Sequence, residues 1–253
     1  LNLLFLGVVD TLQRGQPIYR AAGPVHLLSA AFGMVMLGFV ALGLLAEARV
    51  PSLAEVGLYS PLLLGFYLLA VRSVRSHESG ATEAAGRGPT VLGAGEEARQ
   101  WRRFALAALV VLAAGIWLPE AARRLADSLD LSESLVGTVG MAVVTTLPEM
   151  AVTLTALRIG ALDMAIGNLL GSNLFNVAIL AVDDLLYRRG PLLAAASPAH
   201  QTTAVTAMLM VGLVSVGLVM RPQGRVLRVT SWVSLGLVAA YAINVALHAL
   251  AEQ

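Results

Sequence analysis

Apolar runs of about membrane length, separated by short arginine-bearing loops, recur along almost the whole of this 253-residue chain. A bilayer core takes roughly 20 residues of helix, and such runs cross it only as helices, because every backbone N–H and C=O must be satisfied inside the segment. The expected spans are residues 25–46, 56–72, 102–118, 135–157, 162–186, 199–220 and 229–250, with residues 1–12 as the end of a further one. Pro61 falls inside one short span and Pro119 is expected to end another. The predicted fold class is therefore all-α, a polytopic membrane protein. Composition agrees, since 57% hydrophobic residues against 13% charged ones lie far from the balance of a soluble domain.

The same composition excludes several function classes. Without cysteine there are neither disulfides nor thiolate metal sites. A net charge of +1, with no basic run and no basic patch interleaved with aromatics, argues against nucleic acid as a partner. No HExxH, phosphate-binding loop or nucleophile with a credible base is present, so no enzymatic activity is expected. The partners implied are the lipid bilayer and whatever crosses it.

Assigning loops alternately to two sides places 12 arginines on one side, among them Arg14, Arg72, Arg103, Arg158 and Arg225, and 5 on the other, among them Arg49, Arg124 and Arg188. By the positive-inside rule the first side is cytoplasmic and the C-terminus lies outside, in what is expected to be a prokaryotic plasma membrane. Residues 76–100, rich in Gly, Ala, Ser and Glu, are expected to be a flexible cytoplasmic linker between membrane halves at 1–75 and 101–253.

Those halves are related. Shifted by 174 residues, positions 1–78 match positions 175–252 without a gap and with 24 identities. Asn2 falls on Asn176, Asp10 on Asp184, Arg14 on Arg188, Pro17 on Pro191, Pro24 on Pro198 and His26 on His200. Shared hydrophobicity aligns Leu with Leu, but not Asp, Arg, His and two prolines in one register. The loops at 13–24 and 187–198 fall on opposite sides of the membrane, which makes the copies inverted. Inverted repeats are a common architecture of secondary transporters, with the site at the midplane where the copies meet.

Polar residues interrupt two of the spans. Glu149 lies inside the run 135–157, behind Thr145, Thr146 and Pro148. A carboxylate at membrane depth costs several kcal/mol and by default marks function. Pro148 lacks an amide hydrogen, so the Val144 carbonyl loses its helical partner. Thr145 and Thr146 precede Glu149 by four and three residues and share its helix face. A carboxylate, hydroxyls and freed carbonyls are the hard oxygen donors that Na⁺ or Ca²⁺ prefers. Equally, threonines in a helix bond back to their own backbone, and the residues leave both readings open.

One helix later comes GNLLGSNLFN, Gly167 to Asn176. Gly167 and Gly171 form a GxxxG pair that permits close helix approach. Ser172 and Asn176 sit four apart on one face and both offer oxygen, while Asn168 and Asn173 read equally well as ligands or as interhelical glue. Asp163, just after Gly160, is expected to cap its own helix. For Asp183 and Asp184, near the far end of the same segment, snorkelling and a vestibule role both stand. His26 and His200, beside prolines at the start of apolar segments, are expected at the membrane interface.

TTLPEM followed by GNLLGSNLFN resembles the alpha-repeat pair of the cation/calcium exchanger superfamily, whose usual pattern is GTSLPE and then GNxxGSNxxN. The motif region here is 135–186. The resemblance implies ten helices in two inverted five-helix halves, the first of them truncated here. It also implies ion ligands at Thr145, Thr146, Glu149, Ser172 and Asn176, with Asn2 as the repeat's counterpart of Asn176. Three departures stand out. Val144 replaces the motif glycine. Asparagine rather than aspartate occupies both Asn2 and Asn176, which lowers the negative charge. A first Pro-Glu is absent, so a missing N-terminal alpha repeat is expected to complete the site.

The implied activity is secondary antiport of Ca²⁺ against Na⁺ or H⁺ by alternating access, the ions being substrates and no cofactor being needed. The alternatives are a channel-like or non-transporting membrane protein, and a transporter of a different cation or small solute.

Overall fold

The structure, a computed structural model, describes residues 1–13, 16–46, 51–53, 55–84, 94–129, 141–226 and 229–251. In chain order the helices are α1 (Asn2–Leu12), α2 (Ile18–Ala21), α3 (Val25–Ala46), α4 (Tyr59–Ala84), α5 (Ala94–Leu129), α6 (Met141–Arg158), α7 (Leu162–Leu186), α8 (Leu192–Ala195), α9 (Ala199–Met220) and α10 (Trp232–Ala251). Two strands, β1 (Ser52–Leu53) and β2 (Val56–Gly57), pair in a small antiparallel hairpin ahead of α4. The chain is thus an all-α polytopic membrane protein. Among the described residues four stretches are long and apolar enough to cross a bilayer: Val25–Ala46, Gly95–Leu118, Leu162–Leu186 and Ala199–Met220.

Three expectations change in detail. The span placed at 56–72 starts at Tyr59, because 52–57 pair as strands, and α4 continues to Ala84. Helix α5 does not end at Pro119 but runs on to Leu129. The segment 76–100 is helical at both ends, belonging to α4 up to residue 84 and to α5 from residue 94, and residues 85–93 lie outside the described residues. Residues 135–140 of the motif span also lie outside them.

The chain forms two compact units, Gly80–Leu147 and the combination of Leu1–Ser79 with Pro148–Gln253. In the smaller unit the apolar stretch of α5 is exposed along its length, Trp101, Phe104, Val110, Ile116 and Trp117 included. Such a surface suits lipid, which solvates it as well as protein would.

The larger unit is built on α3 and α9. They run antiparallel: a Cβ on Gly38 would lie 3.7 Å from Met208 Sδ, and one on Gly212 would lie 3.6 Å from Met34 Cε. Each contact is the other's image under the 174-residue shift. The shift also carries α2 onto α8 and α3 onto α9 at both ends, and the end of α1 onto the end of α7. The isolated Val226–Thr230 bridge ahead of α10 occupies the register of the β1–β2 hairpin. Leu6, Val9, Met36, Leu169, Val211 and Leu237 form the core around this pair.

Candidate ion site

Helix α6 gathers its polar side chains into one stripe. Thr146, Glu149 and Thr153 follow at i, i+3 and i+7, the spacing that stacks side chains on one face. Thr146 and Thr153 are buried and Glu149 is half-buried. The helix stops at Gly160, whose φ of 74° is open to glycine without strain, while the Ala161 N–H reaches back to the Ala156 carbonyl oxygen over 2.8 Å.

That reversal lays α7 against α6. Asn168 Nδ2 donates to the Glu149 carbonyl oxygen at 3.1 Å and to Thr153 Oγ1 at 3.0 Å. Of the two readings left open for Asn168, interhelical glue is the one the geometry supplies. One turn further along α7, Ser172 Oγ accepts a hydrogen bond from Asn2 Nδ2 at 2.9 Å and donates to the Leu169 carbonyl oxygen at 3.2 Å. Two candidate ligands 170 residues apart are thereby brought together at the start of α1.

Glu149 is in a different condition. Its Oε2 is buried and has no hydrogen-bond partner among the described residues. A buried carboxylate oxygen without a donor is costly enough to call for an explanation. Thr145, on the preceding turn of α6, is exposed, as is Asn176, one turn beyond Ser172 on α7. Among the described residues no three acidic or histidine side chains cluster, so the candidate donors are one carboxylate and several neutral oxygens.

Other polar residues have structural partners that the sequence did not name. Asp163 does not cap its own helix; its Oδ1 accepts the Gly23 N–H at 2.8 Å and lies 2.9 Å from His26 Nε2. His26 is correspondingly buried, packed over Gly167, where an added Cβ would meet its Cε1 at 3.5 Å. Among the described residues nothing lies within 4 Å of a Cβ placed on Gly171, so there only the first glycine of the pair makes a packing contact.

Asp184 neither snorkels nor lines a vestibule, being fully buried. Its Oδ1 accepts from Leu192 N at 2.6 Å and from Tyr59 Oη at 2.5 Å, and its Oδ2 from Gly57 N at 2.8 Å and Ser60 Oγ at 2.5 Å. Asp183, next to it, is exposed. Thr153 and this Asp184 cluster are the residues that sequence reasoning missed. The i+4 spacing from Glu149 was the available signal for the first, and the coincidence of Ser60 with Ser234 in the repeat register for the second.

A family model described as "Sodium/calcium exchanger protein" matches residues 100–249. The chain is 36% identical over 91 residues to the putative antiporter CaxA of Alkalimonas amylolytica, an alignment covering 36% of this chain and 28% of that protein. It is 38% identical over 90 residues to the sodium/calcium exchanger MaX1 of Methanosarcina acetivorans, covering 35% of this chain and 24% of that one. The inner membrane protein YrbG of Escherichia coli is 35% identical over 75 residues, 26% of this chain and 23% of its own. These alignments span about a quarter of each relative's length. No solved structure matches the chain. With more than half of its residues matched by one family model, the chain belongs to the sodium/calcium exchanger protein family.

Proposed function

We propose that this chain contributes to a secondary cation antiporter that exchanges Ca²⁺ for Na⁺ or H⁺ at a site shared by α6, α7 and α1. Glu149 supplies the charge, Thr145, Thr146 and Ser172 supply hydroxyl oxygens, and Asn176 and Asn2 supply amide oxygens. Hard cations favour this donor chemistry. The observation that carries the reading is the buried Glu149 Oε2, which has no donor among the described residues, on a helix otherwise hydrogen-bonded to its neighbour. A passing cation satisfies that oxygen; when Ca²⁺ leaves, Na⁺ or a proton must take its place, because a bare carboxylate at membrane depth is costly. Exchange follows from that competition.

The arrangement proposed is two inverted copies, 1–75 and 101–253, rocking about the midplane with the connecting segment 76–100 on the cytoplasmic side and the C-terminus outside. The test is calcium uptake into vesicles carrying the intact protein, driven by an outward sodium gradient or by a proton gradient. Uptake driven by one gradient and abolished in Glu149→Gln is expected. Uptake indifferent to both gradients, or undiminished in the variant, points instead to a channel or to another solute and ends the exchanger reading.

A further inference from the structure

Two carboxylates that play no part in the ion site are bound in the same way at two places. Asp10 Oδ1 accepts from Ile18 N at 3.0 Å, and its Oδ2 accepts from Ser231 N and Ser234 Oγ, each at 2.8 Å. Asp184 has the equivalent set, Leu192 N, Gly57 N and Ser60 Oγ. Each of these three donors is the 174-residue image of one in the other set, whereas the fourth donors, Thr230 Oγ1 to Asp10 and Tyr59 Oη to Asp184, are not images of each other. In each case the first donor comes from the same copy as the aspartate and the others come from the opposite copy.

The chemistry explains why a charge is tolerated there. The aspartate sits near the C-terminus of its own helix, where the dipole is unfavourable, yet it faces two helix N-termini at once: α2 and α10 for Asp10, α8 and α4 for Asp184. Pro17 and Pro191, at the N-cap positions of α2 and α8, offer no capping side chain, and the distant carboxylate takes over that duty. Each aspartate follows a candidate ion ligand by eight residues, Asp10 after Asn2 and Asp184 after Asn176. Eight residues of helix are about 12 Å, so each carboxylate fixes the outer end of a helix whose inner part carries a site residue.

The two fixings belong to opposite ends of α7. The Asp184 cluster holds its C-terminal end. The connection that follows Asp10 reaches its N-terminal end, where Gly23 N donates to Asp163 Oδ1. They also differ in strength. At the Asp10 end Arg225 donates to the carbonyl oxygens of Asp10 at 3.1 Å and Gln13 at 2.5 Å, binding the α10 approach to the end of α1; its register partner in the other copy is Pro51, which has no such group.

We infer that Asp10 and Asp184 are matched positioning residues, two locks that fix the tilt of α1 and α7 from opposite membrane faces, with the Asp184 lock the one that yields more readily. The inference rests on the alternating-access reading above for its meaning in transport, but the locks themselves have a separate readout. The chain has no cysteine, so a single introduced thiol reports accessibility without background. Ala165→Cys and Ala181→Cys place thiols at buried positions toward the two ends of α7. Each is labelled with a membrane-impermeant maleimide in the intact protein.

Ser60→Ala removes one hydrogen bond from the Asp184 lock, and Ser234→Ala removes its image from the Asp10 lock together with the Ser234 Oγ contacts to Tyr19 Oη and Ser231 Oγ, each at 3.2 Å. Loss of one such bond shifts a two-state balance by about threefold to tenfold. Ser60→Ala is expected to raise labelling at 181 relative to 165 by that factor. Ser234→Ala is expected to shift the ratio the other way and by less, since Arg225 still braces that end. The double variant is expected to return toward the parent ratio, and Ser60→Thr, which keeps the hydroxyl, to stay at it. Shifts in the same direction, or unchanged ratios in folded protein, overturn the locks. Calcium exchange is measured on the same vesicles: opposed labelling shifts without exchange in the parent uphold the locks and sink the exchanger reading, whereas gradient-driven exchange with unmoved ratios does the reverse.

Discussion

Among the described residues three carboxylates sit within helices in buried surroundings, and they divide into two kinds. Asp10 and Asp184 are saturated, each with four donors on its two oxygens. Glu149 has an oxygen with none among the described residues. A buried charge with a complete set of donors is a structural element whose cost has been offset locally. One with an oxygen left over among the described residues is where we propose that a cation binds. On that proposal the donor count, rather than burial alone, marks the site.

The sharpest way to break this comparison is to neutralise both kinds and look at the sign. Glu149→Gln removes a charge that nothing in the described structure balances, so thermal stability should hold or rise while gradient-driven calcium transport falls by about a hundredfold or more, as expected for a charge at membrane depth that serves function. Transport assays and thermal melts on the same preparation check both halves. A large loss of stability would mean that Glu149 has a structural partner and belongs with the aspartates.

Asp184→Asn should do the opposite. The new amide puts an NH2 in place of one carboxylate oxygen and so faces two of the four donors with further N–H groups, losing acceptor capacity where every donor is buried or nearly so. Breaking such a cluster typically costs about 2–4 kcal/mol. The melting temperature should fall well below the parent's, with Asp10→Asn falling similarly. If either variant melts like the parent, the saturated class loses its meaning.

The two kinds of carboxylate were not equally legible. Glu149 was conspicuous because a charge in an apolar run is costly wherever the chain goes, a property of sequence alone. The helix ends were legible for a related reason: prolines, glycines and the 174-residue register mark them, and α3 and α9 lie where the spans 25–46 and 199–220 were expected. The role of Asp184 was hidden. Three of its four donors come from 124 to 127 residues away, and two of the four are backbone N–H groups, which every residue other than proline carries and no motif announces. The Asn2–Ser172 contact was hidden in the same way, since which helices touch is decided by packing. The hairpin at 52–57 escaped notice because strands of two residues are too short for any periodicity. The expected ligands Thr145 and Asn176 are exposed, and their part in a site remains a proposal.

Asn168 tests the boundary between glue and ligand at a smaller scale. Its amide bridges α7 to the Glu149 carbonyl and to Thr153, so Asn168→Ala should cost about 1–2 kcal/mol through two lost hydrogen bonds and leave the buried Thr153 without that donor. Transport should weaken through misplacement of the Glu149 backbone, and raising the calcium concentration should recover part of it. Complete loss that no calcium concentration rescues would make Asn168 a ligand.

The smallest effects come from glycines and compare the two copies directly. Gly43 and Gly217 are register images, each facing the short helix of the opposite copy and the start of the last helix of its own. At Gly43 a Cβ would lie 2.6 Å from Leu193 Cδ1, the far end of a side chain able to rotate away. At Gly217 it would lie 2.9 Å from Val233 Cγ2 and 3.1 Å from Tyr19 Cδ1, and neither can move easily, because valine is stiff at χ1 and the buried tyrosine is hydrogen-bonded to Ser234. Alanine also gains up to about 1 kcal/mol over glycine within a helix, which offsets part of any clash. Gly217→Ala should therefore destabilise by about 1–2 kcal/mol net and Gly43→Ala by less. Gly171→Ala, with open space around it, should be neutral or slightly stabilising. Equal melting temperatures for the first two would show that the side chains around the two glycines yield alike, and that the likeness of the copies extends from the locks into their packing.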